Sequence, residues 1–299
     1  MTKISRRDFA CGMIAFGALS FSSRAAFANP LGLPLGLQLY SVRQQMGDDF
    51  EAALAGVSAA GYTEVEAAAL PKKDASEIRG ALDKAGLRCV SAHHPFNDLH
   101  TRFDEVVAYD RQLGVNFLIC SSPERRKTSA AAASEGRSPF TLDDWHYNAD
   151  QFNEMGAKLA AHGIRFGYHN HVPEFARTEG KTPYLELLRL TDPKLVTFEL
   201  DCGWAIVAGM QPIEIMKNHP RRITMLHVKD FKAPATASRD PEDFKVTELG
   251  QGSIDYHPIF AEAARSQHIE HAFVEQEAFN LPWRDSLRVD ADYMRKFNS

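Results

Sequence analysis

Eight short apolar runs, rich in β-branched and aromatic residues, alternate with amphipathic segments along almost the whole chain. The runs occupy residues 35–40, 62–67, 87–92, 116–120, 164–169, 195–200, 222–228 and 271–275. Apolar residues recur at helical spacing in segments 50–60, 74–85, 103–113, 144–161, 184–190, 258–266 and 285–297. Glycine closes several of these segments, at Gly61, Gly86, Gly114 and Gly163, which is typical of a helix C-terminus. This alternation predicts parallel strands joined by helices.

The number of strand–helix units decides between the two common parallel folds. Eight units are the number found in a closed (β/α)8 TIM barrel. A doubly wound sheet usually carries a glycine-rich phosphate loop after its first strand, and no such loop follows residues 35–40. No linker-like composition divides the chain after residue 28. We therefore predict an α/β fold with a single barrel domain over residues 29–299.

The N-terminus has the pattern of a segment that is removed from the mature protein. Residues 5–9, Ser-Arg-Arg-Asp-Phe, precede an apolar run at 11–21 and a small-x-small site, Ala-Phe-Ala, at 26–28. This order is that of a twin-arginine signal peptide, which predicts delivery to the periplasm. The apolar run is too short to span a bilayer as a stable helix. We predict cleavage after residue 28 and no stable membrane anchor afterwards, with an uncleaved anchor as the alternative.

The composition of residues 29–299 disfavours two classes of protein. The whole chain has 34 Lys and Arg against 39 Asp and Glu; residues 1–28 hold four and one of these, leaving 30 and 38, a net charge of −8. A chain of this sign repels a phosphate backbone, so no nucleic-acid partner is expected. Three cysteines remain, Cys89, Cys120 and Cys202. An odd number without short spacing favours buried packing residues over disulfides or a zinc knuckle.

Polar side chains stand at the end of nearly every predicted strand. They are Gln38, Tyr40, Glu66, His93, His94, Ser121, His169, Asn170, His171, Glu199, Asp201, His227, Lys229, Asp230, Glu275 and Glu277. In a TIM barrel the C-terminal ends of the strands converge on one mouth, where catalytic residues lie. A mixed set of Asp, His and Glu is suited to one divalent ion, Mn²⁺, Mg²⁺, Co²⁺ or Zn²⁺. The sequence therefore predicts a metal-dependent enzyme.

Six short segments carry a resemblance to a known family. They are GLQLYSVR at 36–43, GYHNH at 167–171, ELDCGW at 199–204, LHVKD at 226–230, LGQGSID at 249–255 and FVE at 273–275. Their order resembles that of the sugar phosphate isomerase/epimerase family, the xylose-isomerase-like TIM barrels, over essentially all of the mature chain. The resemblance implies a carbohydrate substrate and one metal held by side chains from the fifth to the eighth strand.

The ligand set that the resemblance implies is Asp201, His227 and Glu275, with His169 where the family usually has a Glu. Because the two ligand glutamates of the epimerases shuttle protons on opposite faces of the sugar, His169 leaves Glu275 as the only carboxylate of that pair. Epimerisation by a symmetric two-glutamate relay is therefore not expected. The His-Asn-His sequence resembles relatives that act on inosose-like or 3-keto-sugar substrates by elimination or hydration.

We assign proton transfer to histidines at the strand ends. His169 or His171 is the predicted base, since a neutral imidazole accepts a proton near neutral pH. His93 and His94 are candidates for the acid that protonates a leaving oxygen, and at least one of the two is expected to be structural. Glu174 follows the histidine cluster closely and either orients it or replaces one of its members as a ligand.

The remaining site residues are predicted to contact the substrate. Lys229 is suited to stabilise an enolate oxygen, although an ion pair with Asp230 or Glu248 is an alternative. Trp204 replaces a substrate-contacting His of the epimerases and either stacks on a sugar ring or packs at the rim. Gln38, Tyr40 and Glu66, with His93 and His94, complete the predicted substrate-binding set. Residues 249–255 are interpreted as a loop that ends in a helix cap at Ser253 or Asp255.

Two long segments after strand ends, 121–140 and 232–246, are candidate lids, with disordered decoration as the alternative at Ala130–Ala133.

The main functional hypothesis is proton abstraction next to a sugar carbonyl, leading to isomerisation or epimerisation. The alternatives are a lyase or hydratase acting on 3-keto-glycosides or inosose-like keto-sugars, and a non-catalytic sugar-binding protein. A three-zinc barrel endonuclease is disfavoured by Trp204 and the acidic charge. Oligomerisation is open, because no apolar stripe predicts an interface.

Overall fold

Eight parallel strands form a closed barrel in the computed structural model of the chain, which describes residues 31–126, 139–236, 238 and 240–296. The barrel strands are β1 (Gly36–Gln38), β2 (Glu64–Ala67), β3 (Arg88–His94), β4 (Phe117–Cys120), β5 (Arg165–His169), β6 (Val196–Asp201), β7 (Ile223–Val228) and β10 (His271–Val274). Each strand pairs in parallel with its neighbour along the chain, and β10, the eighth barrel strand, closes the ring against β1. The prediction of a (β/α)8 barrel is confirmed.

Helices surround the barrel and include every helix predicted from spacing. They are α1 (Arg43–Asp48), α2 (Phe50–Ala60), α3 (Ala75–Ala85), α4 (Phe96–Thr101), α5 (Phe103–Leu113), α6 (Leu142–Ala160), α7 (Pro183–Leu190), α8 (Cys202–Val207), α9 (Pro212–Asn218), α10 (Tyr256–Ser266) and α11 (Trp283–Lys296). The unpredicted helices α1, α4, α8 and α9 have only six or seven residues, too few to show a period. Gly61, Gly86 and Gly114 cap α2, α3 and α5 at positive φ, as predicted.

The two long segments differ in how much of them the structure describes. The second contains most of a β-hairpin, β8 (Asp230–Lys232) paired with β9 (Lys245–Thr247), which the sequence did not predict. Of the first, residues 127–138 lie outside the described residues, together with the alanine-rich tip. Residues 1–30, with the twin-arginine pattern, lie outside them as well. In the part of the chain that the structure describes, no helix has the length and apolar character needed to cross a membrane.

The barrel interior is apolar in its central part and polar towards the C-terminal ends of the strands. Val90, Phe117, Ile119, Met225 and Phe273 form a buried cluster in which each residue is at most 4 % exposed. The parallel register then places His169 beside Glu199 and Asp201 beside His227, near the strand ends. The polar side chains of the site are therefore held by strands of a rigid barrel. The three predicted packing cysteines are buried and form no disulfide.

Packing of α6 against the segment that leads into β6 depends on Gly156. A Cβ at this position would lie 2.3 Å from the Leu195 carbonyl oxygen. Gly156→Ala should therefore destabilise the fold by about 1–3 kcal/mol, because the helix must move outward. The measurement is the free energy of unfolding in urea.

The control is Gly80→Ala in the exposed part of α3, where a Cβ would have no neighbour within 4 Å. This change should stabilise the fold by about 0.5–1 kcal/mol through helix propensity. Equal unfolding free energies for the two variants would contradict the packing argument.

Candidate active site

Four side chains converge at the barrel mouth, one from each of the last four barrel strands or the residue that follows it. His169, Asp201, His227 and Glu275 each place one ligand atom within 4.8 Å of the others. All four are buried. They are the residues that the family resemblance implies as metal ligands, and we call them the outer cluster.

Asp201 is fixed by its local backbone. It is the N-cap of α8, and its Oδ1 accepts a hydrogen bond of 2.7 Å from the Trp204 N–H. Asn170 binds both backbone polar groups of Asp201. Its Oδ1 accepts from the Asp201 N–H at 3.0 Å, and its Nδ2 donates to the Asp201 carbonyl at 3.3 Å. The other carboxylate oxygen of Asp201, the buried Oδ2, faces positive charge, because Lys229 Nζ lies 3.0 Å away. This oxygen therefore lies at a position that favours a cation.

Lys229 supplies a buried positive charge beside the outer cluster. Its Nζ lies 3.0 Å from Asp201 Oδ2, 2.7 Å from Glu275 Oε2 and 2.6 Å from Glu277 Oε1. Burial opposes the charged form, but these carboxylates outweigh it and raise the pKa of Lys229 above its usual value. The expected alternative, an ion pair with Asp230 or Glu248, is wrong. Asp230 instead accepts hydrogen bonds from loop backbone N–H groups, including that of Gly250 at 3.0 Å.

The two carboxylates of the outer cluster titrate differently. Burial raises the pKa of Asp201 to about 6, against the Lys229 ammonium, which lowers it. Burial also opposes ionisation of Glu275, but Lys229 and His227 outweigh it and hold its pKa well below the usual range. Two carboxylates and two imidazoles form a mixed oxygen and nitrogen donor set, so the residues fit a divalent ion.

A second group of polar side chains lies against the two histidines of the outer cluster. We call Glu66, His93 and Glu199 the inner cluster; Glu66 and Glu199 are fully buried. His93 Nε2 lies 2.9 Å from Glu66 Oε1 and 2.7 Å from Glu199 Oε2. Burial disfavours a charged His93, but the two carboxylates outweigh it and raise its pKa to about 9. His93 is therefore an imidazolium between two anions at neutral pH.

Several residues predicted to bind substrate belong to this buried network. Gln38 Nε2 donates to Glu66 Oε1 at 2.7 Å, and Gln38 Oε1 accepts from the Tyr40 N–H at 3.0 Å. The polar atoms of Gln38 and Glu66 are thus used inside the protein. The Tyr40 side chain, 38 % exposed, stacks at the rim on the Arg43 guanidinium at 4.1 Å.

His171 and Trp204 are the predicted residues that stay near the mouth. The His171 ring lies 4.8 Å from the His169 ring, and burial lowers the pKa of His171, which keeps it neutral near pH 7. The Trp204 ring lies 4.9 Å from Lys229 Nζ and 4.9 Å from the Phe231 ring. Its indole Nε1 has no acceptor among the residues described by the structure. Both side chains retain a polar atom for a ligand.

Glu174 orients the histidine segment. Its Oε1 accepts from the Tyr168 hydroxyl at 2.6 Å and its Oε2 from the His171 N–H at 3.0 Å. Burial raises the pKa of Glu174. Of the two predicted roles, this geometry matches the orienting one.

The prediction for His94 requires a correction, because its side chain lies outside the barrel. Its Nε2 binds Asp110 Oδ2 of α5 at 2.9 Å, and it lines a cavity of about 370 Å³ together with Tyr109 and Val106. Successive side chains of a strand point to opposite faces, so His93 and His94 cannot both face the barrel interior. Sequence reasoning also missed Ser91, which alternation places on the inward face with His93 and which donates to Glu66 at 2.5 Å.

Comparison with known proteins agrees with this geometry. A family model described as the xylose isomerase-like TIM barrel matches residues 54–297. The chain belongs to this family. An inosose dehydratase of Clostridium botulinum is 24 % identical over 246 residues, which cover 76 % of this chain and 82 % of the relative.

Two solved structures show how far the similarity of this xylose isomerase-like barrel extends. A sugar phosphate isomerase/epimerase from Parabacteroides distasonis is 25 % identical, with a TM-score of 0.69 over 88 % of this chain and 93 % of the other. A xylose isomerase-like barrel from Mycobacterium smegmatis in complex with magnesium shares the fold at 12 % identity, with a TM-score of 0.64 over 90 % and 97 %. The comparisons support an enzyme that acts on sugars.

Lys229→Met should destabilise the metal-free protein in a pH-dependent manner. Near pH 8 the loss should be about 3–5 kcal/mol, because buried carboxylates lose their counter-charge. The pKa of Asp201 is about 6 in the folded protein, above its unfolded value, so the folded state takes up a proton as the pH falls. A protonated Asp201 needs no counter-charge, so the loss should shrink towards pH 5.

The measurement is urea unfolding of chelator-treated protein at pH 5.5 and pH 8. Lys217→Met is the control, because Lys217 forms an exposed pair with Glu214 at 3.0 Å. It should change stability by less than about 1 kcal/mol at both pH values. A pH-independent loss in Lys229→Met would contradict the assigned charge pairing.

Proposed function

We propose that this enzyme removes a proton next to the carbonyl of a keto-sugar or keto-polyol, with a divalent ion at the outer cluster. The observation that carries the proposal is the buried set of His169, Asp201, His227 and Glu275, with the neutral His171 beside it. Proton abstraction needs an electrophile for the carbonyl oxygen and a nearby base, and this arrangement offers both.

The four residues of the outer cluster would hold the ion, which we propose to be Mn²⁺, Mg²⁺, Co²⁺ or Zn²⁺. When bound, such an ion polarises a carbonyl and acidifies the adjacent C–H. The magnesium complex of the M. smegmatis barrel supports a divalent cation in this fold. The oxygen and nitrogen donor set supports the same class of ions.

His171 is the proposed base, because His169 is occupied as a ligand in this arrangement. Its lowered pKa leaves the imidazole neutral and able to accept the proton. The Lys229 ammonium, held by Asp201, Glu275 and Glu277, places positive charge near the oxygen on which negative charge develops. The Trp204 indole N–H donates to a second substrate oxygen, and the ring covers an apolar sugar face.

We propose elimination of water as the outcome that this site supports best. A symmetric epimerisation needs proton carriers on both faces of the substrate, and His169 replaces one of the two glutamates that do this in epimerases. In elimination, His171 takes the proton from carbon and returns it to the leaving hydroxyl, so that water departs and a C=C bond forms. The inosose dehydratase relatives support this outcome and an inosose-like substrate. A 3-keto-sugar is the alternative substrate, supported by the resemblance of the His-Asn-His segment. Isomerisation or epimerisation is the second candidate, supported by the P. distasonis relative.

Proton exchange in D₂O tests the proposal directly. With Mn²⁺ or Mg²⁺ and a panel of inososes, 3-keto-glucosides, ketoses and aldoses, NMR should show metal-dependent deuterium incorporation next to the carbonyl. Asp201→Asn should lower the exchange rate by about 100-fold or more, because a metal ligand is lost. The product then distinguishes elimination from isomerisation.

Asp150→Asn, on the exposed face of α6, is the control and should leave the exchange rate unchanged. No exchange with any substrate, together with no bound metal in the wild type, would rule out the enzyme and favour a sugar-binding protein.

We also propose that residues 1–28 direct export of the folded protein to the periplasm. The support is the paired Arg6 and Arg7 before the apolar run, and a metal can be bound before the chain leaves the cytoplasm. Replacing both arginines by lysine should leave the protein in the cytoplasm, measured by cell fractionation and immunoblotting. Arg24→Lys in the same segment is the control and should be exported normally. Equal periplasmic amounts of the two variants would contradict the proposed route.

A further inference from the structure

We propose that Glu199 and Glu66 are positioning residues of the metal centre, which bind one ring N–H of His169 and His227 respectively. As a result, the two histidines ligate the ion through different ring nitrogens: His169 through Nε2 and His227 through Nδ1. This inference rests on the metal site proposed above and assigns a role to the inner cluster.

The tautomer of His169 follows from its contact with Glu199. His169 Nδ1 lies 3.0 Å from Glu199 Oε2. The same Glu199 oxygen lies 2.7 Å from His93 Nε2 and 3.2 Å from His227 Nε2, so three ring nitrogens surround it. A carboxylate only accepts hydrogen bonds, so Nδ1 must carry the proton. The free lone pair of His169 is then on Nε2.

His227 has the opposite orientation, because its two nitrogens face different clusters. Its Nε2 lies 2.7 Å from Glu66 Oε1 and 3.2 Å from Glu199 Oε2. Its Nδ1 faces the outer cluster, 3.1 Å from Glu275 Oε2 and 3.9 Å from Asp201 Oδ2. Both nitrogens of His227 thus face a carboxylate. Nδ1 faces the carboxylate ligands Glu275 and Asp201 and gives up its proton when an ion binds, whereas Nε2 keeps its proton and donates inward to Glu66.

The inner carboxylates are themselves held in place. Glu66 accepts from Gln38 Nε2 at 2.7 Å and from Ser91 Oγ at 2.5 Å. His93 lies between Glu66 and Glu199 and offsets their repulsion. Metal-bound histidines usually donate their second N–H to such a carboxylate, which fixes the ring orientation and strengthens the ligand. Gln38, Ser91 and His93 thus hold the two carboxylates that orient the ligand histidines.

A second ion at the inner cluster is the competing interpretation of the same side chains. One ligand atom each from His93, His169, Glu199 and His227 also lies within 4.8 Å of the others. The nitrogen–oxygen contacts there are 2.7–3.2 Å, which are hydrogen-bond distances. Metal bonds of 2.0–2.1 Å in a tetrahedral site separate the ligand atoms by about 3.3 Å. The inner contacts are short enough to be hydrogen bonds without an ion, and metal stoichiometry separates the two interpretations.

Zn²⁺ titration of the chelator-treated full chain, against a competing chelator, tests the inference without any substrate. The wild type should bind one ion. Glu199→Gln and Glu66→Gln should also bind one ion, with affinity lowered about 10- to 100-fold. Glu64→Gln is the matched control, because Glu64 lies on β2 with Glu66, is buried and faces inward. It contacts His271 Nδ1 at 2.8 Å, outside both clusters. It should retain wild-type affinity.

Long-range ¹H–¹⁵N NMR of the Zn²⁺-loaded wild type gives an independent readout that requires no variant to fold. It should show the ring proton of His169 on Nδ1 and that of His227 on Nε2. The same tautomer for both histidines, or unchanged affinity in Glu199→Gln, would overturn the inference while leaving the proposed metal site intact. Two ions in the wild type and one in Glu199→Gln would show that the inner cluster is itself an ion site. No bound ion in the wild type would refute the metal site itself, and this inference with it.

Discussion

The C-terminal end of the barrel depends on the balance between buried carboxylates and the cations that face them. Glu66, Glu199, Asp201 and Glu275 are all buried, and an isolated buried carboxylate is costly. Lys229 contacts Asp201 and Glu275, while His93 contacts Glu66 and Glu199. The apolar cluster of the barrel interior, which includes Phe117 and Phe273, excludes water on one side of these residues. Their charges are therefore compensated by one another or by a bound cation. The positions of the catalytic side chains follow from this pairing.

The architecture of the fold was predictable because it is encoded locally. Alternating apolar and amphipathic segments predicted every barrel strand. Gly61, Gly86 and Gly114 predicted three helix ends, whereas α6 ends at Ala160, before Gly163. Asp201, His227 and Glu275 were among the polar residues at strand ends, where a barrel collects its functional groups, and the family resemblance singled them out as ligands. His94 was misassigned because the alternation of a strand was not applied to two adjacent histidines. The partners of Lys229 were missed because Glu275 and Glu277 are distant in sequence and nearest in space.

Short elements were the least predictable part. Helices of six or seven residues and the β8–β9 hairpin have too few residues for a period to appear. Their positions are set by tertiary contacts, such as the Phe231 ring of the hairpin against Trp204. These contacts matter for function, since they bring an indole beside the Lys229 ammonium. The polar groups of the site could thus be predicted from strand ends, whereas the aromatic side chains around them, such as Phe231, were placed only by the structure.

The proposed metal centre draws its parts from both halves of the chain. The outer cluster comes from β5 to β10, whereas Gln38, Glu66, Ser91 and His93 come from β1 to β3. The last barrel strand also pairs with the first, and Arg43 donates to the Glu277 carbonyl across that seam at 3.2 Å. A half-synthesised chain therefore has neither a closed ring nor a supported set of ligands. Ion capture at the proposed centre would therefore report that the barrel has closed, as a chemical signature of completed folding.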